Sequence, residues 1–575
     1  MGNIFSANKH LPTSTPSSGT MKPIIKQPAE LDLNQPNKWN KFFRKNSYAV
    51  TKVRVQSFDR PPRKATQIFQ NKTTSSLHYV FTASSSFEMS RLISNLKDSC
   101  HITSLNLDLS SVESWAPQGL KYLSMTLGNF KNLTSLTLTF PNSVEMTPKH
   151  VSSLGFAFHR LRSLIDLSLK FSHQQRPNSS SLKLLAKILS KLTWLKSLTL
   201  GQFASTTHLA LSFLSSILKK LTSLEGLNLD LADMRDFQSK HLNQVFLTLK
   251  NNKPLKNITF NFKDCLVDFP NSCPLSQGLA MLDLSQLQSF QLNCYSNLTN
   301  KTLEQLTAVL QAAPLKRLNL DLSKDCFYSS SLQFCLDLQA FQSLSHLSVN
   351  PGDLKNGIQG VGTALKFLGD LKFLDIDFSK QVYAKVDNEL ADFTTNLRGL
   401  QKLKSFSLNL KGLSQLPEKD LRALSETLQC LTELSSLNLE LALEIIYRRK
   451  EVLRLFSSLT KLKNLTDLSL NSIARWNFSI EELRELAEVI QNLSLLTSVN
   501  LNFGNCEFFR EERESFGPLF RSLGKLKFLK TIILHLPDGI EDQMVALDYI
   551  KHVENQTIHW DCLTDYKIWI RRLSE

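Results

Sequence analysis

Residues 133–140 read Leu-Thr-Ser-Leu-Thr-Leu-Thr-Phe, and 31 residues further on residues 164–171 read Leu-Ile-Asp-Leu-Ser-Leu-Lys-Phe. Both fit one pattern, Leu-x-x-Leu-x-Leu, anchored on its second leucine, here Leu136 and Leu167. Upstream, Leu105 anchors ITSLNLDL; downstream, Leu198 anchors LKSLTLGQ and Leu227 anchors LEGLNLDL. The series continues at Ile258, Phe290, Leu318, Leu347, Leu374, Phe406, Leu437, Leu468, Val499 and Ile532, with successive anchors 27 to 33 residues apart. In all fifteen registers the residue three before the anchor and the residue two after it are apolar, from Ile102 and Leu107 to Leu529 and Leu534. A fixed period with three recurring apolar positions is the signature of a stacked repeat and not of leucine-rich composition.

Between anchors the hydrophobic period changes from about 2 to about 3.6, as a strand gives way to a helix. In 479–496, Ser479 and Glu482 form a capping box, and Leu483, Leu486, Val489, Ile490, Leu493 and Leu496 share one face. Thr302 and Gln305 are expected to open the helix before Leu318 in the same way, and Pro417 stands where a first helical turn begins. Each unit is therefore strand, loop, helix and return turn. One unit cannot cover its own apolar face, so stability must come from neighbours. The chain resembles the leucine-rich-repeat family in its long-repeat, ribonuclease-inhibitor-like class. That resemblance implies an α/β solenoid of about 15 repeats of about 31 residues, with a curved parallel sheet on the concave side and helices on the convex side. One position departs from the class. Five residues after the anchor, where the family carries Asn or Cys, stand Ser110, Pro141, Ser172, Phe203, Ala232 and Lys263.

The expected organisation is a flexible basic arm over 1–75, a solenoid over 76–562 and a closing helix over 563–575. SLHYVF (76–81) reads as a first edge strand and TIHWDC (557–562) as a last one, with Trp569 and Ile570 covering the end of the core. The arm holds thirteen Lys/Arg against Glu30, Asp32 and Asp59, a net of +10 in a chain of net +16. Its start, MGNIFS, carries the N-myristoylation pattern on Gly2 with Ser6. The first five residues are similar to the N-terminus of ADP-ribosylation-factor GTPases. A single acyl chain holds a protein only marginally, so a second signal is expected. KWNKFFRK can supply it: Lys38, Lys41, Arg44 and Lys45 would meet anionic headgroups, and Trp39, Phe42 and Phe43 would insert among them. The alternative is that these aromatics pack beneath the first repeat.

No run of about 18 apolar residues spans a bilayer, and no secretory h-region follows the N-terminus. Nine dispersed cysteines, without a Cys-x-x-Cys pair or clusters capping the repeats, point to a reducing compartment. Together these imply a cytoplasmic protein, peripheral to a membrane. No metalloprotease, nucleophile-elbow, Gly-Lys-Ser/Thr or kinase motif appears, and the histidines nominate no metal. The glycines at 357, 360 and 362 in GIQGVG have the wrong order for a dinucleotide loop and read as a loop joining repeats. Zinc-finger, RNA-recognition and helix-turn-helix patterns are missing too. The expectation is a monomeric, non-catalytic binder with no cofactor, no metal, no small-molecule substrate and no nucleic acid. Alternatives are a regulator of an enzyme (an inhibitor or GTPase activator) or a substrate-recognition subunit.

In a strand, the residues one before, one after and three after the anchor face the concave surface. Mostly Ser, Thr and Asn, they include Asp108, Asp166, Asp230, Asp321, Asp375, Asp377, Glu440 and Asp467, against only Lys170 and Arg317. An acidic lining in a basic chain predicts a protein partner with a basic binding segment. The acids from Asp321 to Glu440 are expected to lie close enough to repel one another.

Overall fold

The structure is a computed structural model. It describes residues 30–32, 52–56, 76–80, 101–110, 119–141, 146–171, 178–201, 207–232, 239–250, 255–263, 274–294, 300–322, 337–352, 357–380, 389–413, 416–441, 449–472, 480–503, 516–536 and 565–570. The chain divides between Pro314 and Leu315 into two compact units, where the sequence alone suggests one continuous array. In the first unit the strands Ser104–Asp108, Ser135–Thr139, Asp166–Lys170, Ser197–Gly201, Gly226–Asp230, Asn257–Phe262 and Ser289–Cys294 each pair in parallel with the next. The register sets anchor against anchor, Leu105 beside Leu136 and so on to Ile258 beside Phe290. The second unit repeats this from Arg317–Asp321 through Phe373–Asp377 to Thr531–Leu536, with Leu318 beside Leu347 and Val499 beside Ile532. A helix follows most strands, as Glu389–Leu397 follows Phe373–Asp377. This is a leucine-rich-repeat solenoid.

The strands alternate half-buried and buried residues, so each anchor and the residue two after it point into the core while the others face solvent. Leu133, Leu136 and Leu138, the three pattern positions of one repeat, are each 0% exposed. Aromatics reinforce the stack where the leucines give way: Phe140 and Phe171 stack at 5.1 Å between ring centroids, and Phe260 lies between Phe246 and Phe262. Threonines two before the anchor tie successive turns together. Thr134 donates to the Thr103 carbonyl at 3.0 Å and Thr497 to that of Thr466 at 3.2 Å. Helix starts are capped locally. Before Pro148–Arg160, the Thr147 hydroxyl accepts from the His150 amide while the Thr147 amide donates to His150 Nδ1, and Pro148 takes the first turn.

Four expectations are corrected. The arm is not free of structure, because Glu30–Asp32 and Lys52–Gln56 are strands, and Val53 and Val55 pair with Leu77 and Tyr79 of Ser76–Val80. Val-x-Val between charged residues has the period of a strand, and the basic composition disguised it. The closing helix is replaced by a strand, Asp565–Ile570, parallel to Thr531–Leu536. Tyr566, Ile568 and Ile570 alternate, and they pair with Ile532, Leu534 and Leu536. GIQGVG is not a loop but opens the helix Gly357–Leu365, with all three glycines buried. Finally, the helix assigned to Thr302 begins at Asn300, which leaves Thr302 buried inside its first turn. Pro417 does precede the helix Glu418–Cys430, and Glu482 is buried in the first turn of Ile480–Asn492. Ser479, TIHWDC and the rest of residues 1–75, including Gly2, Ser6, Lys38, Trp39, Lys41, Phe42, Phe43, Arg44 and Lys45, lie outside the described residues.

Candidate partner-binding face

All eight predicted acids stand on the solvent face of a strand, at the positions the period assigns them. Asp166 and Asp467 occupy first positions in their strands, Asp375 a middle one, and Asp108, Asp230, Asp321, Asp377 and Glu440 the position three after the anchor. Three belong to the first unit and five to the second.

What the sequence reading missed is that several of these acids finish the strand. Asp108 Oδ1 accepts from the Ser110 amide at 3.0 Å, Asp230 Oδ1 from Ala232 at 3.2 Å and Asp377 Oδ1 from Ser379 at 2.9 Å. Asn261, Asn350 and Asn409 do the same for Lys263, Gly352 and Lys411. A side-chain oxygen that accepts from the amide two residues on is an Asx turn. Here it satisfies the backbone where the family uses Asn or Cys two residues later. The missing ladder at that later position is thus replaced by one placed earlier, and the sequence signal was present in the Asp/Asn preference itself.

The same row changes the electrostatics. Along the second unit it runs Asp321, Asn350, Asp377, Asn409, Glu440 and Asn471 on successive paired strands. Acid alternates with amide. Asn350 Nδ2 donates to Asp377 Oδ2 at 3.0 Å, and Asn471 Nδ2 reaches Glu440 Oε1 at 3.5 Å. In the first unit Asn261 Nδ2 donates to Asp230 Oδ1 at 2.8 Å. Within this row carboxylates two strands apart are roughly 9–10 Å from each other with an amide between, whereas Asp375 and Asp377, two residues apart on one face of the same strand, stay roughly 7 Å apart. Asp375, in the next row, accepts from the Ser348 hydroxyl at 3.0 Å. Asp467 accepts from Thr466 Oγ1 at 2.6 Å. Asp166 is exposed overall, yet its carboxyl is pushed above the ordinary carboxylate range by partial burial, and a hydrogen bond from Ser197 offsets part of this.

Beside the acids of the second unit runs a different row. Arg317 pairs with His346, and His346 with Phe373, at the strand starts. The imidazole stacks on the Phe373 ring at 5.7 Å between centroids with planes 23° apart, and Ser345 Oγ lies 2.8 Å from His346 Nδ1. Burial pulls the His346 pKa below its usual value, helped by the charges of Arg317 and Lys372. The face therefore presents an aromatic shelf next to a row of half-hydrogen-bonded carboxylates. His346 could have been found from its place one before an anchor.

Elsewhere in the second unit a cavity of about 30 Å³ opens among Leu439, Leu455, Phe456, Leu470, Leu486 and Phe503. Its lining is mostly apolar, with Asn471 and Asn502 the polar exceptions. Among the described residues no cluster of three or more His, Cys, Asp or Glu could hold a metal. No helix of the described residues is long and apolar enough to cross a membrane.

No family model matches the chain. No curated protein matches it either. Among solved structures it is similar to the crystal structure of the leucine-rich repeat-containing protein LegL7 from Legionella pneumophila. The two are 15% identical, the match covers 62% of this chain and 98% of that one, and the TM-score is 0.33.

Proposed function

We propose that this chain is a non-catalytic protein-binding scaffold whose second unit takes a basic, extended protein segment across its sheet. The observation that carries this reading is the row Asp321, Asp377, Glu440 with Asp375 beside it, next to the His346–Phe373 shelf. Each carboxylate uses part of its acceptor capacity internally, and an ionised carboxylate has about four lone-pair sites, so acceptors remain for Lys or Arg. The stacked ring pair offers an apolar ledge where a guanidinium or an aliphatic stem can rest. Charge complementarity of this kind raises association rate and salt sensitivity more than affinity.

The second part of the reading is a tether: a myristoyl group on Gly2, with Lys38, Lys41, Arg44 and Lys45 against anionic lipid and Trp39, Phe42 and Phe43 at headgroup depth. It is supported by the Met-Gly-x-x-x-Ser start and by the arm's excess of basic residues. Intact mass of the protein from its own cells tests it. A myristoylated Gly2 and release of Gly2→Ala from membranes are expected, and an unmodified N-terminus ends the tether.

The sheet is tested with Asp321→Asn, Asp375→Asn and Glu440→Gln combined, leaving Asp377 to hold its turn. Proteins captured by the wild type at low salt should be lost with the variant. The same proteins, bound with the same salt dependence, would reduce the acids to solvated strand ends.

A further inference from the structure

The acids of the sheet make the location of the chain's positive charge a question, and the arm is only part of the answer. In the second unit, the turns that lead from a helix back to the next strand hold ten Lys or Arg among their described residues, against Asp370 and Glu433 alone. The equivalent turns of the first unit hold eight, against Glu225 and Asp283. Lysines directly after a helix complement its C-terminal carbonyls, which accounts for Lys461 and Lys525. Lys463 and Lys527 lie beyond the first leucine of the turn, in the same register five before the anchors Leu468 and Ile532; Lys463 reaches the last carbonyl of the neighbouring helix, and helix ends do not account for Lys527.

The three turns 460–466, 493–497 and 525–530 combine this charge with exposed apolar side chains and contain no acid. Leu495 and Phe528 stand in the same register, four before the anchors of adjacent strands, and are 41% and 53% exposed. Lys463 Nζ reaches the Asn492 carbonyl at 3.5 Å and Lys525 Nζ reaches Gln491 Oε1 at 3.2 Å. Both neighbouring turns thus lean their ammonium groups toward the one that carries Leu495. The result is two apolar prongs among lysines, at the edge of the fold where strands begin.

We infer that this turn edge is a contact site for an anionic lipid surface, separate from Gly2 and the arm. A bilayer supplies what the patch asks for: negative headgroups for compact ammonium charges, and an apolar layer just beneath for Leu495 and Phe528. A nucleic acid fits less well, because Phe528 is the one ring in these turns, Leu495 offers no stacking surface and the turns hold no arginine. Contact along the turns leaves the face of the sheet open, so lipid and protein partner can be held together.

The experiment uses the full chain without a myristoyl group, with Lys38, Lys41, Arg44 and Lys45 changed to Gln and Trp39, Phe42 and Phe43 changed to Ser, so that the lipid contacts assigned to the arm are removed. It is sedimented with phosphatidylserine/phosphatidylcholine vesicles and with phosphatidylcholine alone. Binding to the former and little to the latter is expected. Lys463→Gln, Lys525→Gln and Lys527→Gln should each lower the partition coefficient about fivefold. Phe528→Ser should lower it without changing its salt dependence. Phe528→Trp, which preserves the site, should add a blue-shifted component on anionic vesicles beyond any change shown by the same chain with Phe528 intact. The inference is overturned by lysine variants that bind as before, by a Phe528→Trp variant whose emission anionic vesicles leave unmoved, or by a single-stranded oligonucleotide that displaces the vesicles at lower concentration. None of those results touches the tether at Gly2, whose own test is the N-terminal mass.

Discussion

Asp377 tests whether the acids of the sheet are structural as well as available. Its Oδ1 accepts from the Ser379 amide at 2.9 Å and its Oδ2 from Asn350 Nδ2 at 3.0 Å. A hydrogen bond to a charged group contributes about 1.5–3 kcal/mol when buried, and the half-buried setting here brings each nearer to 1 kcal/mol. Asp377→Ala removes both and should cost about 2 kcal/mol. Asp377→Asn keeps the turn but sets an amide donor against Asn350. Asn350 cannot turn its oxygen toward position 377, because that atom accepts from Gly352, a glycine held at φ 65°. Asp377→Asn alone should therefore cost about 1 kcal/mol, and adding Asn350→Asp should restore the bond with its polarity reversed. The reversal sets a carboxylate at 350 beside Asp321, its paired neighbour, so recovery should improve as salt screens that pair. Urea unfolding gives the free energies, and amide exchange at Ser379 reports the turn directly. Equal losses for the Ala and Asn variants, or a reversal that restores nothing at any salt, would refute the hydrogen-bond ladder.

Other consequences can be measured in the same unit. A Cβ on Gly362 would stand 2.7 Å from Phe393 Cα, a backbone atom of the neighbouring helix. Gly362→Ala should therefore destabilise by about 1–3 kcal/mol from overpacking, less about 1 kcal/mol of helix propensity. Gly369→Ala, with nothing within 4 Å of its new Cβ, should be neutral or slightly stabilising in the same urea titration. His346 and His535 are both held below the ordinary value of 6.5 by burial. The unfolded chain then binds more protons than the folded one near that pH, so stability should fall as pH drops below about 6.5 and recover above it. His346→Gln should flatten this slope in urea midpoints taken across the range. The exposed pair Lys402–Asp370, at 2.6 Å, holds the Asp370 carboxyl below its usual range, yet Lys402→Ala should shift the midpoint little.

Most of the fold was legible because a stacked repeat writes one rule many times. Leu, Phe, Val and Ile exchange at the anchor, but the triplet of apolar positions persists, and the parallel register follows from it. What was not legible depended on contacts between repeats. Glycines at 357, 360 and 362 argue against a helix by propensity alone, and only the approach of Phe393 to Gly362 explains why a helix needs one there. DYKIWI reads as a helix beside RRL and as a strand beside Thr531–Leu536, and the pairing decides. The candidate acids were placed correctly on the solvent face, but their Asx turns and amide partners come from neighbouring residues and strands, which a face-by-face count ignores.

The net charge of +16 is a poor guide to this molecule, because it adds surfaces of opposite sign. On the sheet, negative charge recurs at alternate strands and is diluted by Asn350, Asn409 and Asn471. In the return turns positive charge is concentrated, as the ten basic residues of the second unit show. Strand starts and strand ends lie roughly 13–17 Å apart across a five-residue strand, farther than a Debye length of about 8 Å at physiological salt. Apart from Asp467, which stands at a strand start beside the turn 460–466, each surface of the second unit therefore keeps its own sign in the presence of the other. If the strand ends and the turns bind what their charges select, raising salt must weaken both contacts together, whereas neutralising the lysines of the turns must weaken only one. Dependence on both sets of residues in a single binding assay would mean that one partner spans both surfaces. Independence would mean that the repeat carries two binding sites, one at each end of the strand.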